Sequence, residues 1–346
     1  MAEVIDQLVI LDSGSTDCTL DIARKFGAEI HHTNRADNYA ENYNHLFSLA
    51  KYDYILFLHS DEFVCDGSRD LLKTHVMAGN IPRHSVFFFK RKDIDRFKTY
   101  SFMGREILMY RLLHKNAGFW KFPVHEYFFT TGVPVNSNII VYHDHQRDSL
   151  TEEKKRRKYK DILDNFFASN PQLSHDEACR LYMLKASDHL ALKEFSKAMD
   201  HFDEAIRFGH QAREESTQIW LRRSHVGKAL VYYMTERLDE AARTLFMTDD
   251  FPDTILEKYY FLAKIAQTLG KPEEALNYFR IALNNRGHSD ACFFFTPFRI
   301  VFNLLDDAVD AASALDYSDK SNEIRNQFER GFGNILPYRD ELRLFP

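Results

Sequence analysis

Cysteine is scarce in this chain: Cys18, Cys65, Cys179 and Cys292 are its four cysteines among 346 residues, and no two form a CxxC pair. That spacing argues against a zinc ribbon and for four reduced thiols in a cytosolic protein. Long apolar runs are missing too. Val86–Phe89 and Ala291–Phe295 are far too short to span a bilayer, so membrane association, if any, is peripheral. The first ten residues include Glu3 and Asp6 and lack a basic segment, so no secretory signal is read there. The net charge of −6 excludes a whole-protein basic field for nucleic acid. Phe and Tyr, by contrast, are plentiful at 30 and 17, and they predict large aromatic cores. The length suits two domains.

The two halves follow different periods. Up to about residue 145, short apolar runs alternate with polar turns. Strands are expected at Gln7–Leu11, Ala28–His31 and Tyr54–Leu58, with helices at Cys18–Phe26 and Tyr39–Ala50 between them. Strand, helix, strand, helix, strand predicts an α/β domain with a mostly parallel sheet. Further strands at Ser85–Lys90, Ile107–Leu113 and Asn138–His143 lack long intervening helices, which predicts a mixed or antiparallel edge. The expected divisions are 1–150 for this domain, 151–305 for a linker helix and helical repeats, and 306–346 for a capping tail.

From Thr151 the pattern is helical, opening on the charged stretch Glu152–Lys160, read as a solvated helix face. Ala198, Phe202 and Ala205 then recur as Ala275, Phe279 and Ala282, with Ala241, Leu245 and Thr248 as a middle copy. Tyr182 and Tyr259 precede the outer copies. The copies start near Cys179, Arg222 and Leu256; the second interval is 34 residues, the length of a tetratricopeptide helix pair, and the first is longer by an insertion. Such pairs stack into a solenoid whose concave face binds a partner.

Chemistry is expected where strands end. Asp12-Ser13-Gly14-Ser15-Thr16-Asp17 follows the first strand and precedes a helix, a geometry that suits ribose, base or phosphate and equally serves as a plain helix cap. His59-Ser60-Asp61-Glu62 follows the third. Two adjacent carboxylates there call for a cation, and a divalent metal would bridge them to a substrate phosphate. Val124-His125-Glu126 and Val141-Tyr142-His143-Asp144-His145 offer further ligands, with His143 and His145 on one strand face.

Taken in order, VIDQLVILDSGSTDCTLDIARKFGAEI, YDYILFLHSDE, RLLHKNAGFWKFPVHE and IIVYHDH before EEKKRRKYKDIL resemble the family 2 glycosyltransferases of GT-A fold, in a branch that continues into tetratricopeptide repeats. The resemblance implies inverting transfer from a nucleotide sugar, UDP- or GDP-linked, with Mn²⁺ or Mg²⁺. It implies Asp61 as the metal-binding acid, with His143, His59 and His145 as further metal or diphosphate contacts. Asp12, Ser13, Ser15, Asp37 and Asn44 would meet the donor nucleotide. Glu126 would be the general base, with His125 positioning it or the acceptor. The acceptor would be a glycan, lipid, protein or modified nucleic acid, in the cytoplasm or peripheral to a membrane, and a protein partner could sit on the repeats. Three departures stand out. The family's opening strand and helix, which would be central in the sheet, are missing before Val4. His59 replaces an acid. Tyr43 replaces an arginine whose diphosphate contact would be lost or pass to Arg35 or Arg105. The rival reading is a degenerate transferase domain that works with the repeats as a binding module.

Overall fold

The computed structural model describes residues 4–34, 37–77, 84–95, 101–144, 149–169, 171–251 and 254–285, together with 307, 308 and 311. His145, Arg35, Cys292 and nearly all of the 306–346 tail lie outside that set. The chain divides into two compact units, Met1–Asn170 and Pro171–Pro346.

The first unit begins with two strands, β1 (Val9–Asp12) and β2 (Glu29–His32), paired in parallel across the helix α1 (Thr19–Lys25). Gly27 ends α1 with φ +70°, a conformation that costs glycine nothing. Next come α2 (Tyr39–Ser48), β3 (Tyr54–Leu56), β4 (Glu62–Val64), α3 (Asp66–Met77), β5 (Ser85–Asp95) and β6 (Ser101–His114). The unit closes with β7 (Gly118–Lys121), β8 (Tyr127–Thr130), β9 (Val133–Asp144) and α4 (Ser149–Ala168). Five strands form one sheet in the order β3-β6-β5-β9-β4.

That sheet is mixed, but its parallel share is smaller than the opening pattern suggests. Only β5 and β9 run parallel within it; β3–β6, β5–β6 and β4–β9 are antiparallel. The reason is connection length: five residues separate β5 from β6, and a parallel crossover needs a dozen or more. Among the described residues, β1 pairs only with β2 and β3 only with β6, so the ladder is interrupted between β1 and β3.

Period-two alternation gives the sheet two cores. Val86 opposes Leu113 and Phe87 opposes Leu112 in the β5–β6 register. Val86 and Leu113 turn to one face and join Ala40, Phe47, Phe57, Trp120 and Phe128 beneath α2. Phe87 and Leu112 turn to the other and join Leu72 of α3 with Phe89, Ile139 and Val141.

The second unit is helical: α5 (His175–Ala191), α6 (Phe195–Gly209), α7 (Gln218–Met234), α8 (Leu238–Phe246), α9 (Ile255–Thr268) and α10 (Pro272–Asn284). Consecutive helices pack pairwise, and α7 also touches α5 and α9, so the first helices of successive pairs stack on one another. The recurring residues are the packing core: Ala198, Phe202, Ala205, Ala241, Ala275, Phe279 and Ala282 are all fully buried. Each pair turns through one left-handed residue at the same repeat position, Lys193 (φ 59°), Glu236 (φ 61°) and Gly270 (φ 70°). Part of the longer first interval is helix: α6 runs 15 residues against 9 for α8. No helix among the described residues is long and apolar enough to cross a membrane.

His225 occupies in the middle pair the place that Tyr182 and Tyr259 hold in the outer two. Burial first, then His210 and Lys228, push its imidazole down to about 4, against a smaller opposing pull from Asp203. The folded chain therefore keeps His225 neutral while the unfolded chain takes up its proton first. Stability is present above pH ~6.5 and is lost on acidification toward pH 4, by on the order of 2–3 kcal/mol. Urea unfolding of the wild type and of His225→Phe across that interval should give a sloping and a flattened dependence respectively. Equal slopes would remove His225 as the cause.

Candidate active site

The end of β3 carries the densest charge in the first unit. A tight turn, closed by the Glu62 amide donating to the His59 carbonyl at 3.1 Å, leads from β3 into β4. It sets Asp61 and Glu62 side by side, as the sequence requires, yet the two carboxylates have different partners. Glu62 is held by Arg111 of β6, whose Nε donates to Oε2 at 2.8 Å and Nη2 to Oε1 at 2.5 Å. Both side chains are essentially inaccessible, at 1% and 0% exposure. Burial alone would raise the Glu62 carboxyl; the Arg111 hydrogen bonds and charge outweigh it and hold the group below its usual range. A third Arg111 bond, Nη1 to the Tyr110 carbonyl at 2.7 Å, fixes the guanidinium. The cation that the paired acids call for is thus, for Glu62, an arginine.

Asp61 faces His143 instead, with Oδ2 3.4 Å from Nε2. β4 and β9 set this pair, since the Asp144 amide donates to the Asp61 carbonyl at 2.9 Å and Glu62 lies opposite His143 in the register. The His143 hydrogen bond foremost, against burial, draws the Asp61 carboxyl well below its ordinary value. Among the described residues no group of three His, Cys, Asp or Glu converges for a metal. The Asp61–His143 pair therefore fits a divalent cation only if substrate phosphates and water complete its shell, which is the habit of Mg²⁺.

His59 sits at the centre of the cluster. Burial and the Arg111 charge lower its imidazole, while Glu62, Glu126 and Asp61 oppose them. The Tyr43 ring stacks on it at 6.1 Å and 26°, and the Tyr43 hydroxyl donates to Glu126 Oε1 at 3.4 Å. Tyr43 is itself wedged edge-on against Phe57 and Trp120. Glu126 arrives on a strained loop: Phe122 (φ 74°) and His125 (φ 50°) are both left-handed without being glycine, a cost that persists only where the surroundings fix the backbone. His125 rests edge-on against Tyr159 of α4, with centroids 5.3 Å apart.

The remaining expected residues fall into two other places. Asp12, buried at the end of β1, turns back on its own loop, accepting from the Gly14 amide at 2.9 Å and the Ser15 amide at 3.1 Å. Ser15's hydrogen bond foremost lowers its carboxyl, and Ser13 and Ser15 are left exposed beside it. Gly14 permits that turn with φ +112°. Asn44 spends its amide on Trp120, donating to the carbonyl at 2.9 Å and accepting from the amide at 2.8 Å. Asp37 meets Lys158 at 3.3 Å. Asp37 and Asn44 line a separate cavity between α2 and α4.

Arg111 and Trp120 received no role from the sequence, although both lie inside the RLLHKNAGFWKFPVHE segment. The signal for Arg111 is a cation within the otherwise uncharged run Ile107–Leu113, which needs a buried partner. Arg111→Met should cost about 3–5 kcal/mol in urea unfolding, because it strands the Glu62 charge, and Glu62→Gln added to it should recover much of that loss. A double variant no more stable than the single one would contradict the pairing.

Comparison with known proteins bears on both units. A TPR repeat-containing protein of Synechococcus elongatus is 26% identical over 185 residues, covering 49% of this chain and 43% of the relative, so the chain spans less than half of that relative's length. A solved structure of nearly identical TPR-like repeats of kinesin light chain type from Podosopora anserina is 13% identical, with a TM-score of 0.37 over 52% of this chain and 88% of that one. Residues 3–131, which hold β1 to β8 and with them Asp61, Arg111 and Glu126, match the family described as glycosyl transferase family 2, and the tetratricopeptide-like helix pairs follow that matched segment in the chain.

Proposed function

We propose that the first unit is a metal-dependent, inverting glycosyltransferase that moves a sugar from a UDP- or GDP-sugar to an acceptor hydroxyl. The observation that carries this reading is the gathering of Asp61, His143 and Glu126 around His59 at the end of β3. Asp61 and His143 would hold Mn²⁺ or Mg²⁺. That ion, when bound, offsets the charge that builds on the nucleoside diphosphate as it leaves. The loop from Asp12 to Asp17 supports the nucleoside, with Ser13 and Ser15 open to it.

Glu126 acts as the base. Its carboxylate takes the proton of the acceptor hydroxyl as that oxygen bonds to the anomeric carbon, and the bond from the carbon to the diphosphate oxygen breaks on the opposite side. Tyr43 donates to one Glu126 oxygen and leaves the other for the acceptor. Arg111 serves by neutralising Glu62, so that Asp61 is the acid of the pair left to face His143.

The helical repeats would recruit the acceptor, a glycan, lipid, protein or nucleic acid, or a partner protein. A binding role without turnover is the second reading, favoured by the interruption of the sheet between β1 and β3. Thermal melting with UDP and GDP, each with and without Mn²⁺, separates the two, because a ligand of the folded state raises the melting temperature. A metal-dependent rise that Asp61→Ala removes supports the transferase, and no rise with any nucleotide supports the binding role. Glu126→Gln should lower kcat by about 10²–10⁴-fold with donor affinity nearly unchanged; loss of donor binding instead would displace Glu126 from the role of base.

A further inference from the structure

The cavity between α2 and α4 lies beside the cluster around His59 and has different chemistry. It is an open cleft of about 460 Å³, within the size range of small-ligand sites. Trp120, Phe122 and Phe166 give it aromatic walls, and Asn38, Glu41 and Asn165 a rim of amides and carboxylate. Among the described residues neither lysine nor arginine lines it. Asp37, at the same rim, already has Lys158 beside it.

The walls are held by bonds of their own. Asn44 clamps both backbone groups of Trp120, and the Tyr39 amide donates to the Pro123 carbonyl at 2.8 Å, tying the Phe122–Glu126 loop to the start of α2. On α4, Ile162, Asn165 and Phe166 share one face by their spacing, and Phe166 meets Phe122 edge-on at 6.1 Å. The loop that supplies Phe122 and Pro123 to the cavity supplies Glu126 to Tyr43 three residues later.

We propose that this cavity is a saccharide-binding subsite that grips one unit of an acceptor glycan while a neighbouring unit presents its hydroxyl to Glu126. The inference rests on the glycosyltransferase reading for its acceptor role, though not for saccharide binding as such. A sugar ring is neutral, has an apolar face that packs on aromatic rings, and carries hydroxyls that amides and carboxylates bind in either sense. Among the described residues Asp37 and Glu41 outnumber Lys158 at this rim, a balance that disfavours a diphosphate and suits a neutral ligand. Asp37 and Asn44 are thereby reassigned from the donor, Asp37 to the acceptor rim and Asn44 to holding the Trp120 wall.

The test uses the full chain without donor. A panel of neutral oligosaccharides and methyl glycosides is screened by saturation-transfer NMR, and the best binder is titrated calorimetrically. Glu41 and Asn165 are exposed, so Glu41→Ala and Asn165→Ala should keep the fold, with circular dichroism as the check. Each should weaken saccharide binding tenfold or more, while Asp61→Ala and Glu126→Gln leave it within twofold. In turnover assays the same rim variants should raise the acceptor KM tenfold with kcat within twofold. No binding by any saccharide, displacement of a bound saccharide by UDP or GDP, or rim variants that change neither Kd nor acceptor KM would each overturn the subsite. Saccharide binding that depends on the rim in a chain without transferase activity would uphold the subsite and overturn only the proposed reaction.

Discussion

A buried guanidinium against a buried carboxylate sets the terms for everything around the end of β3. Arg111 and Glu62 are both shut away from water, and neither could be there alone, since an unpaired buried charge costs several kcal/mol. Their bidentate contact locks the turn from β3 to β4 onto β6. With Glu62 committed, its neighbour Asp61 is turned toward β9 and His143, and His59 is pressed beneath Tyr43. One ion pair thus decides which of two adjacent acids faces the site.

A second constraint comes from the segment between β7 and β8. Two residues there adopt a conformation that L side chains resist, and they are held in it by contacts with both flanking helices. The Tyr39 amide anchors Pro123 from α2, and Tyr159 of α4 abuts His125. The Glu126 carboxylate is therefore positioned by tertiary packing rather than by local preference. Asn44 contributes to the same effect at one remove by fastening Trp120, against which Tyr43 leans.

Much of this was legible in the chain, and the parts that were not share a cause. Helices and strands declared themselves through period and stop signals: Gly27 ends α1 and Asn38 caps α2 through the Glu41 amide. The repeat was readable because Ala198, Phe202 and Ala205 recur where pairs of helices must approach closely. The residues singled out by the motifs do stand at strand ends. Hidden from the sequence was who pairs with whom across it. The partner of Glu62 lies 49 residues away, that of Tyr43 lies 83 away, and no local spacing encodes either. The strand directions came out less parallel than the opening alternation implies because the β5–β6 connection is short, and Asp37 and Asn44 line a cavity whose walls come from distant Trp120 and Phe166.

The turns between paired helices give the second unit an internal gradient. Gly270 enters its left-handed turn without penalty, whereas Lys193 and Glu236 each give up about 1–2 kcal/mol to adopt the same angle. The third hairpin is therefore partly written into its own turn residue, whereas the first two rely on the packing of their helices to offset the turn. In a stack stabilised by nearest-neighbour contacts, a glycine placed at residue 193 or 236 would thus strengthen its own pair and, through the shared interfaces, the pairs beside it.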